Sequence, residues 1–86
     1  MSNQNAANIR IVAATLSMDM GNSDAAYTDL SAARRFVGDC TKAEMAGVDF
    51  DALKAAEARH DAMARAKISA KWEVQAQAEM NAGVDR

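Results

Sequence analysis

The sequence has no proline, one cysteine, four glycines and only four aromatic residues. Each shortage excludes something. Cys40 stands alone, so no disulfide forms within the chain, and a cysteine-based metal site in a single copy is not expected. Without proline the commonest helix breaker is missing. Few aromatic residues and an apolar set dominated by alanine suit strands poorly. The longest apolar-leaning run, Ile11 to Leu16, is far too short to span a bilayer. The N-terminus has no cationic segment followed by an apolar run, so no signal peptide is expected. No block of like charges occurs, and a net charge of −2 with acids and bases interleaved excludes a nucleic-acid-binding tail or a polyacidic mimic. A reducing cytoplasm is the simplest compartment, and no membrane is expected as a partner.

What is present is alanine, 21 of the 43 apolar residues. The bulky apolar positions are few and spread along the chain, and they are supplemented by methionine. A core of Ala and Met suits helices that approach closely, so the fold class expected is all-α, a single small helical domain. The organising stretch runs from Asp49 to Gly83, free of proline and of internal glycine and rich in Ala, Glu, Lys, Arg, Gln and Met. It predicts one helix on the order of 50 Å long, longer than an 86-residue globule is wide. Another helix or a second molecule must cover its far end.

Three helices are expected, over about residues 5–20, 23–46 and 50–82, joined by short connections in an up-down-up arrangement. In the first, Asn3 or Asn5 is the N-cap candidate, and Ile9, Val12, Ala13, Leu16 and Met20 form an apolar stripe. Gly21 suits the left-handed position that ends it. Ser23 is the next N-cap candidate, and Tyr27, Leu30, Ala33 or Arg34, Val37 and Cys40 carry the second stripe. This helix either stops at Gly38, with Thr41 and Glu44 as a capping box for a new turn, or runs on through a kink to Gly47, with Val48 completing a Schellman motif. The continuous form is slightly favoured. Asp49 caps the third helix. Leu53, Ala56, His60 and Met63 share a heptad face until Lys67 interrupts it, while a second row, Ala56, His60, Ala64, Ile68, Trp72, Ala76 and Met80, advances by fours and drifts round the helix. Asn81-Ala82-Gly83 is the expected stop, followed by a tail from Val84 to Arg86. The methionines are expected mainly as core filler.

Little of this carries chemistry. Glu57 and His60 form an E-x-x-H on one helix face, the pair used in carboxylate-bridged metal bundles. A dimer could bring two copies together, with Asp24, Asp29 or Glu44 completing the shell. A lone E-x-x-H in a Glu-rich helix is more often incidental, so no metal and no cofactor is expected. Cys40 with His60 as nucleophile and base lacks an orienting group or an oxyanion loop, and the chain is expected not to be an enzyme. Arg34-Arg35, Arg59, Arg65, Lys67 and Lys71 suggest a basic stripe, but the chain is acidic overall, and nucleic acid is a weak alternative.

Trp72 is the most informative residue, late on the long helix and away from the denser apolar positions. Aromatics concentrate at interface cores. Ile68, Trp72, Val74 and Met80, with Arg65, therefore make a candidate surface for another protein, against the plainer alternative that Trp72 covers the first helix. The function expected is a non-enzymatic binding module acting by occlusion or scaffolding, a homodimer through its C-terminal helix. In general make-up the chain is similar to phage and mobile-element accessory proteins, including inhibitors of host defence such as anti-CRISPRs. That likeness assigns no residues.

Overall fold

The computed structural model describes residues 2–84, and side chains for residues 2–80. They form α1 (Asn3–Asp19), α2 (Ser23–Asp39), the one-turn α3 (Lys42–Met45) and α4 (Phe50–Val84), with no strand among the described residues. The fold is all-α, with four helices where three were expected.

Local chemistry sets most of the boundaries. Ser2, rather than Asn3 or Asn5, caps α1, its hydroxyl accepting the Asn5 N–H at 3.2 Å. Asn3 is drawn elsewhere, its side chain donating to the Asp39 carbonyl at 2.9 Å. Gly21 ends α1 as expected. At φ +76° it occupies the left-handed region, its N–H donates to the Met18 carbonyl, and the Asn22 N–H reaches back to Ser17 at 2.8 Å. Asn22 takes the capping role anticipated for Ser23, accepting the Ala25 N–H at 3.0 Å. Asp49 caps α4 through the Ala52 N–H at 3.0 Å.

The continuous second helix is not what forms. α2 includes Gly38 but stops at Asp39, Cys40 is extended, and Thr41 with Glu44 makes a full capping box that opens α3. Breaking the helix is compensated because the Glu44 carboxylate accepts the Thr41 N–H at 3.1 Å and also the Asn3 N–H at 3.0 Å, tying α3 to the start of α1. Gly47 consequently ends no long helix and, unlike Gly21, has no positive φ. Its carbonyl instead accepts from the Asn8 side chain at 2.9 Å. At the far end, α4 continues through Asn81-Ala82-Gly83 to Val84. The expected tail residues Asp85 and Arg86 lie outside the described residues.

The hydrogen bonds from Thr41 and Asn3 hold the Glu44 carboxyl below its ordinary pKa, the Thr41 backbone contributing most. A carboxyl depressed by folding stabilises above its unfolded-state pKa, and that contribution disappears as pH falls through the lowered folded value. Glu44→Gln is therefore expected to lower the melting temperature at neutral pH, with the gap to the parent protein closing as the buffer is taken toward pH 3. Thermal unfolding across that range checks it, and a gap that stays constant would refute the linkage.

Side-chain pairs give the packing directions. Asn3 meets Asp39, and Arg10 meets Asp29 at 3.0 Å, so α1 and α2 run antiparallel. Arg34 with Glu57 and Ser23 with His60 set α4 antiparallel to α2. Asn8 with Asp49 and Asp19 with Arg59 set α4 alongside α1 in the same direction. The core between them is made of Ala7, Ile11, Ala14 and Met18 from α1, Ala26, Leu30, Ala33 and Val37 from α2, Leu53 and Ala56 from α4, and Val48. The interior positions of α1 and α2 alternate alanine with one larger residue. That lets the two backbones approach closely and leaves little void.

Two sequence expectations about faces are corrected here. On α1 the stripe Ile9, Val12, Leu16 and Met20 faces outward, and the inner face is Ala7, Ile11, Ala14 and Met18. Both sets have helical spacing and lie on opposite sides, and the small-residue set is buried because only it permits the close α1–α2 contact. Tyr27 is likewise exposed, its place in the α2 core taken by Ala26. Of the methionines, Met18 is core and Met63 packs against it, whereas Met20, Met45 and Met80 are exposed.

The molecule measures 67 × 21 × 17 Å, with a radius of gyration of 18.3 Å. A compact chain of this length would have a radius near 12 Å (~2.2·N^0.38). Its accessible surface of 6182 Å² exceeds by about 1,250 Å² the value expected for a compact monomer of 9.2 kDa.

Candidate partner-binding surface

The first half of α4 is docked and the second half is not. Leu53 and Ala56 are buried, and Glu57, His60, Met63 and Ala64 are half-buried. From Arg65 through Met80 every residue is exposed. The point where α4 leaves the body is a groove of about 480 Å³ lined by Ser23, Tyr27, His60, Lys67 and Ile68, among others. His60 anchors it. Its Nε2 donates to the Ser23 carbonyl at 3.1 Å, and its ring lies 5.9 Å from that of Tyr27, tilted by 37°.

Beyond this exit the arm carries Ile68, Trp72, Val74 and Met80, all more than half exposed, Trp72 at 65%. Trp72 therefore does not cover α1 within the same chain. The five residues singled out in the sequence do not all share a face. At about 100° per residue, Ile68, Trp72 and Met80 follow one slowly drifting row with Arg65 beside Ile68, whereas Val74 lies about 200° from Trp72, on the other side. Arg65 also pairs with Asp61 one turn earlier at 3.0 Å, a surface contact of small energetic weight.

The outer face of α1 was missed as an exposed surface because its stripe reads, in sequence, as a core stripe. Ile9, Val12 and Leu16 are each more than half exposed and Met20 is 83% exposed. A helix apolar on two opposite sides is a helix expected to be covered on both. The low contrast between its faces was the signal available beforehand.

The other candidates are separated or neutralised. Glu57 is held by Arg34 through two hydrogen bonds, one of 2.8 Å from Nε, while His60 is committed to Ser23. The Glu57 contact raises the Arg34 pKa further. Asp29 is paired with Arg10 and Glu44 with backbone N–H groups at the α1–α3 junction, and no three His, Cys, Asp or Glu side chains gather to hold a metal among the described residues. Cys40 follows the C-terminal end of α2, while His60 meets Ser23 at its N-terminal end, so the pair is split by a helix of 17 residues. Desolvation, reinforced by the charges of Glu44 and Asp39, pushes the Cys40 thiol up, opposite to an activated nucleophile. Arg34, Arg59 and Arg65, three members of the supposed basic stripe, each face a carboxylate. No helix among the described residues is long and apolar enough to cross a membrane. No protein-family model, curated protein or solved structure matches the chain.

Proposed function

We propose that this chain is a non-enzymatic protein-binding module that acts by occlusion or scaffolding, and that it works as a homodimer held through the second half of α4. One observation carries the reading: a helical arm, exposed at every residue from Arg65 to Met80, that presents Ile68, Trp72 and Met80 along one row. A large aromatic amid aliphatic side chains on a rigid helix is the composition of an interface centre. The surplus surface of about 1,250 Å² is more than the roughly 800 Å² per partner that a standard interface buries. A cytoplasmic setting and an accessory inhibitor that covers a host surface fit the same reading. Metal binding and nucleic-acid binding have no comparable support, given where Glu57, His60 and the arginines are committed.

The test is solution mass by light scattering after size exclusion. The parent protein is expected at twice the chain mass. Trp72→Ala is expected to weaken association by about 30-fold or more, the loss of ~2 kcal/mol typical of a central aromatic, and to elute as a monomer at low micromolar concentration. Because Trp72 touches nothing in the core, its far-ultraviolet spectrum should still report a helical body. A mass unchanged by the substitution would sink the proposed role of the arm.

A further inference from the structure

We infer that the arm pairs with the same arm of a second copy, antiparallel, along a charge-complementary seam of Arg65, Ile68, Trp72, Gln75 and Glu79. The inference rests on the homodimer reading above and supplies the face, direction and register that reading leaves open.

The face follows from how α4 is already occupied. α1 packs on it at Ala52, Ala56 and Arg59, and α2 at Glu57 and His60. The five seam residues alternate intervals of three and four, so they form one narrow strip, and all are exposed. At about 100° per residue the strip is centred about 170° from the α1 side and about 65° from the α2 side. A helix laid on it therefore clears α1 and comes to ordinary packing distance from the start of α2. There it closes the groove of about 270 Å³ lined by Tyr27, His60 and Asp61, among others. The alternating spacing suits helices that cross at about 20°, shallow enough to keep two arms in contact along their length. Met80 is a little over a quarter-turn to the side and stays outside the seam.

Charge sets the direction. The strip is basic at Arg65, apolar at Ile68 and Trp72, and acidic at Glu79. Parallel arms would bring Arg65 to Arg65 and Glu79 to Glu79. Antiparallel arms bring each Arg65 to the Glu79 of the other copy, the opposite-sign arrangement that fixes orientation in paired helices. Arg65 meets Asp61 of its own chain through Nη2 alone, and its guanidinium has further N–H groups to give.

The bulky side chains set the register. With the two-fold axis level with Ala70, Ile68 of each copy faces Trp72 of the other, and the largest apolar groups of the strip meet at the centre. Arg65 then falls between the Trp72 ring and the Glu79 carboxylate of the second copy, stacked on one and paired with the other. Lys71 is left at the margin, where its ammonium reaches water. Each arm runs on over the docked half of the other α4, so the pairing spans residues 56–84, about 40 Å of helix. The contact is the same from both sides and closes as a dimer.

The first test exchanges the charges. Arg65→Glu and Glu79→Arg are each expected to weaken the dimer about fivefold or more in analytical ultracentrifugation, since two symmetric contacts turn from attraction to repulsion. The double variant is expected to regain most of that loss. Residues 65 and 79 lie about 21 Å apart along one helix, so the rescue acts only between copies. A double variant as weak as the single ones overturns the seam and leaves the homodimer reading standing, whereas a monomeric parent protein defeats both. The second test leaves the seam unaltered. A spin label on Lys54→Cys, at an exposed position of the docked half of α4, is introduced in a Cys40→Ala background. The distance between the two labels is expected on the order of 50 Å. A distance below about 30 Å, as parallel arms would give, overturns the pairing.

Discussion

Leu53→Ala is expected to remove ~2–5 kcal/mol of stability, the range for deleting a buried leucine side chain. Leu53 is the largest side chain wholly removed from solvent, at 0% exposure. It is also the bulkiest fully buried residue of α4, since Ala56 is small and Phe50 and Met63 are only partly buried. Its loss opens a cavity in the core shared by α1, α2 and α4. A domain of this size holds only ~5–15 kcal/mol in all, and ~1 kcal/mol corresponds to about 4–8 °C of melting temperature. Denaturant unfolding followed by circular dichroism should show a lower midpoint with an unchanged slope. A loss below about 1 kcal/mol, under the range for buried leucines, would mean that the docking of α4 rests on its ion pairs, against expectation for surface contacts of this kind.

The second large effect comes from adding atoms. Ala33→Leu is expected to destabilise by ~1–3 kcal/mol or more, because an overfilled interior forces side chains off their rotamers or the backbones apart. Ala7, Ala14, Ala26 and Ala33 are all at 0% exposure, and the spacing of α1 and α2 depends on their having nothing beyond Cβ. Ala58→Leu, on the exposed side of α4, is the control and should be within about 0.5 kcal/mol of the parent. If the two variants unfold at the same denaturant concentration, the α1–α2 contact is looser than its alanines imply.

How much of this was readable beforehand varies with the physics behind each feature. The all-α class followed from composition, since alanine without proline favours helices whatever they pack against. The Gly21 turn was readable because a left-handed residue at a helix end is a local demand that glycine meets at no steric cost. Most of the length of α4 was readable because nothing from Phe50 to Met80 breaks a helix, although it runs through the expected stop at Asn81-Ala82-Gly83 to Val84. The inner face of α1 was not. Ile9-Val12-Leu16-Met20 and Ala7-Ile11-Ala14-Met18 are equally periodic, and hydrophobicity favours the bulkier set. The choice was made by how near α2 must come, a tertiary quantity that no window of sequence contains. The break after Asp39 was half readable. The Thr41–Glu44 capping box was visible, but the Asn3 N–H that tips the balance comes from the other end of the chain. Val74 was grouped with Trp72 by proximity in sequence, although two residues along a helix is a little over half a turn.

The docked start of α4 also has a kinetic meaning. A lone helix starts at a cost in water because its first turn fixes several dihedral angles in return for one hydrogen bond. The arm never has to make that first turn. Leu53 and Ala56, clamped against α1 and α2, provide the nucleus, and every later residue only propagates it, a step close to neutral for alanine, glutamate, lysine and glutamine. A stretch with no packing of its own can then present Ile68 and Trp72 in a fixed orientation. In the monomer its helicity should be lost before the docked start of α4 yields.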